Sequence, residues 1–321
     1  MVGKLSDDAK MSGSRIPTLY CWQFGNGHPY KTPNEELAAS IAAHNNEPVE
    51  RGHIGEPGIV GNLLEPTLAQ SCCEELGIPE PELTPDVIRT PTFEVSCDAV
   101  STLQVPTKIH ASDIVTLVVP DAEGEARYPQ EMTLSGHVPI EVKCTSDYAT
   151  DEPPLHRGPV QLQMQMMGVS AEYGVIMTLH RGIERRITVY RRSFTMQERI
   201  ADLCREFQQR VESARYYPPI SVDDATKAPA SEEKSETDIS ELDDDIDRLE
   251  RLKADRGAFD DEIAEIETRI MSAIGDAHVG TTPRYRVEWP VRHYKAQPEK
   301  ITPAKEERTI RLKTLKIKPM V

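Results

Sequence analysis

Ile140-Glu141-Val142-Lys143-Cys144 is the stretch on which the fold turns. Apolar and charged residues alternate in it, as in a β-strand, where successive side chains point to opposite faces. Glu141 and Lys143 then share one face, and Ile140, Val142 and Cys144 turn to the other, into a core. An acid and a lysine two apart on a strand have the chemistry of a phosphodiesterase half-site. The carboxylate can hold a divalent cation, and the lysine can orient a water or offset negative charge at phosphorus. Alone, such a pair is more often a surface ion pair, which contributes little. The rest of the chain decides between the two.

Upstream, Thr32-Pro33-Asn34-Glu35 is a capping box with proline at the first helical position, and it predicts a helix to about His44 with Leu37, Ile41 and Ala42 inward. Gly61-Asn62 opens a second predicted helix, with Leu64, Leu68, Cys72 and Leu76 as its stripe, Pro66 in its first turn and Gly77 at its end. Glu65 lies off that stripe. Residues 79–91 are proline-rich and loop-like. Thr92 to Val100 alternates as a strand that carries Asp98, and another strand is predicted around Ile114–Val119. Downstream, Gly158-Pro159 starts a helix with Gln161 and Gln165 on one face. Glu172–His180 and Arg185–Tyr190 read as a hairpin around Arg181-Gly182. Thr195-Met196-Gln197-Glu198 is a second capping box, opening a helix with Ile200, Leu203, Phe207 and Val211 at helical spacing.

The 321 residues, 38% hydrophobic and 28% charged, suffice for one sizeable core with appendages. Residues 1–219 form the predicted α/β (α+β) domain, with a mixed sheet flanked by helices. An acidic linker follows over 220–238. Ile239, Leu242, Ile246 and Leu249, then Ile263, Ile266 and Ile270, predict a helical hairpin or interrupted coiled coil over 239–276, broken at Arg256-Gly257. Residues 277–321 are a basic tail, with a short strand at Tyr285–Trp289 and alternating basic and apolar residues over Ile310–Lys318. The net charge of −16 argues against a nucleic-acid binder only until it is divided: residues 281–321 carry +7, so an acidic whole is compatible with a basic surface. No apolar run reaches the ~20 residues of a membrane span, and residues 1–10 lack the apolar stretch of a signal peptide. A cytoplasmic protein with no membrane association is expected. Of the six cysteines none makes a C-x-x-C or a zinc spacing with histidine, and Cys97 and Cys144 are expected to be buried thiols.

Taken in order, Glu65 on a helix, Asp98 at a strand end, Glu141 and Lys143 on the next core strand and Gln161 on the following helix resemble the PD-(D/E)xK nuclease superfamily. Within it they resemble the YqaJ-type, lambda-exonuclease-like family of phage recombination nucleases. Gly61-Asn62-Leu63-Leu64-Glu65-Pro66 is similar to the family's G-x-x-x-E-P, and Ser96-Cys97-Asp98-Ala99 to its S-P-D-G. Ile140–Cys144 is similar to its hydrophobic-E-hydrophobic-K-C, and Gln161-Leu162-Gln163 with Met166 to its Q-V-Q-x-x-M. The likeness spans residues 10–215. Cys97 and Ala99 replace the proline and glycine flanking the family's aspartate. The longer interval from Asp98 to Glu141 implies an inserted hairpin. Asp86 and Asp113 are rivals to Asp98. Asp86 is set aside for its place in a proline-rich loop.

The resemblance implies a restriction-endonuclease-like core with Glu65, Asp98 and Glu141, and the backbone carbonyl of Val142, as ligands for Mg²⁺, with Mn²⁺ as a substitute. Lys143 would position the water or balance charge, and Gln161 would hydrogen-bond the lysine, the water or the phosphate. Ser14 with Lys10, Arg15 or Lys4 would bind a DNA 5′-phosphate. A related branch holds an iron–sulfur cluster with one upstream and three downstream cysteines. Only Cys204 lies downstream here, so none is expected. The implied activity is 5′→3′ exonucleolysis of one strand of linear duplex DNA in a bacterial host cytoplasm. It would leave 3′ tails for a RecT/Bet-like single-strand annealing protein, with the enzyme as a homo-oligomeric ring. The alternatives are a structure- or site-specific endonuclease on the same core, and a non-catalytic DNA-binding or assembly protein.

Overall fold

The structure, a computed structural model, describes residues 8–25, 31–49, 55–121, 125–229 and 237–290. It divides into a unit ending at Pro229 and one beginning at Ala230. The first unit contains, in order, β1 (Met11–Ser12), α1 (Ile16–Phe24), α2 (Pro33–His44), α3 (Glu56–Leu76), β2 (Glu82–Leu83), β3 (Ile88–Arg89), β4 (Phe93–Val95), β5 (Ala99–His110), β6 (Val115–Pro120), β7 (Ala126–Arg127) and β8 (Glu131–Thr145). These are followed by α4 (Pro159–Gly168), β9 (Tyr173–His180), β10 (Glu184–Arg191), α5 (Phe194–Ser213) and α6 (Val222–Ala225). The class is the expected one, a mixed sheet between helices.

The main sheet runs β2-β5-β8-β9-β10-β6-β7. β8 is central, antiparallel to β5 (Ala99 opposite Ile140) and parallel to β9 (Glu141 opposite Ile176, Lys143 opposite Thr178). Ile140 and Val142 are buried with Leu68, Cys72 and Leu76 of α3 in one core. Ile176, opposite Glu141, is buried with Leu162 and Met166 of α4 in another. The sheet is thus covered on both sides, and the charged face of β8 lies under α4. α1, α4 and α5 share a third apolar cluster built on Leu19, Val160, Met164 and Phe207.

Several boundaries differ from those the sequence predicts. α3 begins at Glu56, not Gly61, so Pro66 lies inside the helix. Gly55 at the N-cap and Pro57 in the first turn are the start signal. Gly77 does end it, at φ 62. Thr92–Val100 is two strands in two sheets, β4 and β5, with Ser96-Cys97-Asp98 at the corner. α5 is capped by Ser193, whose hydroxyl accepts from the Met196 amide, rather than by Thr195. The interval between Asp98 and Glu141 holds the long β5, β6 and a β6–β7 hairpin. The predicted linker is in part structure: Asp224 of α6 is fully buried and accepts from the side chain of Asn34 and the amide of Ile220. A buried carboxylate must be hydrogen-bonded, and these bonds tie 220–225 to α2.

The second unit holds α7 (Asp243–Ile274), β11 (Val279–Thr281) and β12 (Arg286–Glu288). α7 is one continuous helix through Arg256-Gly257, where a break was expected. One glycine costs only about 1 kcal/mol in a helix, too little to end one of 32 residues. The basic segment 291–321, including Ile310–Lys318, lies outside the described residues. Among the described residues no helix is long and apolar enough to cross a membrane.

Gly158 caps α4 at φ 130, and a Cβ there would lie 2.8 Å from Cδ1 of Ile176. Gly158→Ala combines left-handed strain with overpacking. It is expected to cost about 2–4 kcal/mol, read as a lower urea midpoint at unchanged m-value.

Candidate active site

Asp98 immediately precedes β5, and the β5–β8 ladder starts at Ala99–Ile140. Beyond that start the Val142 amide has no partner on β5. The Asp98 carboxylate takes it, with Val142 N–H donating to Oδ2 at 2.8 Å. Asp98 also shares a side-chain hydrogen bond with Glu65 of α3. Two carboxyl groups can share a hydrogen bond only if one holds a proton. Burial, then the bond to Glu65 and its charge, push the Asp98 pKa well above the usual carboxylate range, against the Val142 amide and Lys143.

Glu141 is 2% exposed. Its two oxygens accept from Lys143 Nζ and from Gln165 Nε2. Burial, then the Asp98 charge, raise its pKa to about 7, despite Lys143 and Gln165. Burial works against the charge of Lys143, but Glu141, Asp98 and Glu65 outweigh it and its pKa is raised. Gln161 of α4 accepts from Lys143 Nζ at 3.1 Å. The structure therefore brings Glu65, Asp98, Glu141, Lys143 and Gln161 into one bonded series, on α3, the β4–β5 corner, β8 and α4. Its electrostatics are unbalanced, with three carboxylates against one lysine.

Gln165 went unassigned in the sequence, although its position four residues after Gln161 places both on one helix face. It is fully buried, bridges Glu141 to the Ser96 carbonyl (2.9 Å), and its Oε1 has no hydrogen-bond partner. Gln163, inside the family-like motif, points elsewhere: its Oε1 accepts from the Ser193 amide, holding the start of α5.

A cavity of about 1000 Å³ opens beside this series, lined by Lys143, Gln161, Ser14, Arg157, Val60 and Leu64 among others. Cys144 lines it as well. It is exposed, not buried as expected, because the end of β8 runs past the part of α3 that packs on the sheet. All six cysteines are unpaired.

Of the 5′-phosphate candidates among the described residues, only Ser14 reaches the cavity. Lys10 donates to the Thr90 carbonyl at 3.1 Å. Arg15 is engaged within the fold. Its five N–H groups are engaged by Glu36 Oε2 and O, Ser40 Oγ, and the carbonyls of Asp8 and Lys10, and its guanidinium lies over Phe207. A guanidinium has five donors, so none remains for a phosphate. Lys4 lies outside the described residues. Arg15→Met leaves the nearly buried Glu36 carboxylate with only the longer ion pair to Lys31, at 3.6 Å. It is expected to cost about 3–5 kcal/mol, seen as a large drop in melting temperature; unchanged stability with weakened DNA-end binding would restore the phosphate role.

Among the described residues no three His, Cys, Asp or Glu side chains stand close enough together to hold a metal ion. In this arrangement Lys143 and Gln165 occupy Glu141, and Val142 N–H and Glu65 occupy Asp98. The donor set nevertheless suits a hard divalent cation, since all its members are carboxylates. Burial first, then the neighbouring carboxylates, raise the pKa values of Asp98 and Glu141, and a bound cation would favour their ionised forms.

No protein-family model matches the sequence, and no curated protein is similar to it. Solved structures similar to the chain include SSO0001, at 14% identity over 67% of this chain and 81% of that one, with a TM-score of 0.34. A phage-related exonuclease of Haemophilus somnus 129PT is similar at 12% identity over 64% and 94%, with a TM-score of 0.40. The alkaline exonuclease LHK-Exo of Laribacter hongkongensis is similar at 15% identity over 65% of this chain and 90% of that one, with a TM-score of 0.44.

Proposed function

We propose that the chain is a metal-dependent deoxyribonuclease, a 5′→3′ exonuclease of linear duplex DNA that leaves 3′ single-stranded tails. The observation that carries this is the series Glu65–Asp98–Glu141–Lys143–Gln161, with Glu141 buried and Lys143 opening to a cavity. Glu65, Asp98 and Glu141, with the Val142 carbonyl, would hold Mg²⁺ or Mn²⁺. Bound there, the ion would offset charge at the scissile phosphate and lower the pKa of a water. Lys143, held between Glu141 and Gln161, presents a fixed positive charge where phosphorane charge develops. Gln165 keeps the Glu141 carboxylate oriented. Ser14, on the cavity wall, would meet a terminal phosphate of the substrate. Handing the tails to a RecT/Bet-like annealing protein, and ring assembly, belong to the same proposal.

Linear and circular duplexes labelled at either end, with Mg²⁺ or EDTA, test it. Mononucleotide release from 5′ ends of linear DNA only, abolished by EDTA, is the expected outcome. Cleavage of circles would replace exonuclease by endonuclease, and inactivity with every divalent metal would leave a binding protein.

A further inference from the structure

α7 has 32 residues and none is buried. Yet one stripe is apolar from its N-cap onward: Leu242 at the cap, then Ile246, Leu249, Leu252, Phe259, Ile263, Ile266, Ile270 and Ala273 follow at intervals of three and four, interrupted only by Arg256. Leu252, Phe259 and Ile263 are each more than half exposed. A solvated helix has no use for such a stripe.

We propose that α7 pairs antiparallel with α7 of a second copy of this chain, with the two-fold axis between Gly257 and Ala258. The stripe is self-complementary when read backwards about that point. Leu242 meets Ala273 of the second copy, Leu249 meets Ile266, Leu252 meets Ile263, and Arg256 meets Phe259. Ile246 falls opposite Ile270 with a shift of one residue, taken up by the two successive three-residue intervals that join Ile246, Leu249 and Leu252. An isologous contact needs this self-complementarity. The axis falls near the middle of the helix, so the overlap runs the full length of about 48 Å, well beyond the ~12–15 residues at which an isolated helix is marginal.

Charge selects the direction. In a parallel pair Arg256 would face Arg256. The flanking positions five residues apart would join Arg248 to Lys253, Asp255 to Asp260 and Glu262 to Glu267, like charges throughout. Antiparallel pairing sets Arg256 on the ring of Phe259, a cation–π contact, and Lys253 beside Asp260. Two like-charged pairs, Arg248–Arg269 and Asp255–Glu262, remain at its edge. The opposition of Arg256 and Phe259 is thus the feature that makes the stripe continuous in one direction and broken in the other.

Sedimentation equilibrium of the full-length protein, wild type against Ile263→Asp/Ile266→Asp, tests the pairing. Both side chains are exposed in the single chain, so the variant folds, as circular dichroism will show. The variant should have a lower mass than the wild type at equal concentration, half of it where the first unit is monomeric, and self-association weakened at least about tenfold. Equal masses overturn the proposal. Direction is read in a Cys144→Ser background, where the remaining cysteines are buried. Chains carrying Leu249→Cys and Ile266→Cys should cross-link when mixed under oxidant, and neither with itself. A Leu249→Cys self-cross-link overturns the antiparallel arrangement.

Discussion

Lys143→Ala lowers the rate of DNA hydrolysis by at least about 10²–10³-fold and leaves duplex binding within a few-fold of wild type. The size follows from what Lys143 does at this site. Among the described residues it is the one cation bonded to the series, and it touches Glu141 and Gln161 at once. Its removal takes away a preorganised charge and leaves Glu141, already raised to about 7, with a buried carboxylate facing Asp98. Glu141 then takes up a proton at neutral pH, and the site loses an acceptor as well as a donor. Duplex binding depends on a surface much larger than one partly buried ammonium, so it changes little. Lys143→Arg should not rescue, because a planar fork cannot replace a compact ammonium between two fixed oxygens. Gln161→Ala, which removes one hydrogen bond to the lysine, should cost less than Lys143→Ala. Single-turnover kinetics beside filter binding distinguish these effects. Retained hydrolysis in Lys143→Ala would remove the lysine from the mechanism and with it the proposed function.

Elements with strong local physics were legible in the sequence. Thr32–Glu35 forms both bonds of its capping box, Gly77 adopts the left-handed cap, and β9 and β10 pair around Arg181-Gly182. Elements decided by tertiary context were not. The alternation over Thr92–Val100 is that of a strand on either side of Asp98, and nothing local announces that the chain changes sheets there. The start of α3 was placed late because Gly61 and Pro66 look like punctuation, yet packing of Leu68, Cys72 and Leu76 carries the helix through both. The site divides in the same way. Glu141 and Lys143 share a face because a strand has a two-residue period. That Gln165 would brace Glu141 required knowing that α4 lies over β8. Whether Arg15 binds a phosphate or is consumed by Glu36 and Ser40 depends on α2, far along the chain, and residue type alone carries no sign of it.

Asp98→Asn raises the stability of the metal-free protein at pH 8 while abolishing hydrolysis. In the folded state burial, then the hydrogen bond to Glu65 and its charge, hold the Asp98 pKa above the unfolded value of 3.8. Glu141 is likewise raised, from 4.5 to about 7. A folded state whose acids are raised binds more protons than the unfolded chain, so stability falls as pH rises through these values. The metal-free protein should therefore lose stability between about pH 5 and pH 8, by on the order of 1–3 kcal/mol. Asparagine keeps an oxygen for the Val142 amide and offers Glu65 a permanent N–H in place of a shared proton. Its gain should be about 1–2 kcal/mol at pH 8 and close to zero at pH 5, where Asp98 itself is protonated. Divalent metal reverses the order. Mg²⁺ should raise the melting temperature of the wild type most at pH 8, where the carboxylates are ionised, and that of Asp98→Asn little, because an amide is a poorer ligand with no charge to offset. Thermal denaturation at pH 5 and pH 8, with EDTA and with Mg²⁺, measures all four states. A variant less stable than wild type at pH 8 in EDTA would show that Asp98 holds the β8 corner through its charge. An equal Mg²⁺ response in the two proteins would take Asp98 out of the ligand set and return Asp86 and Asp113 to consideration.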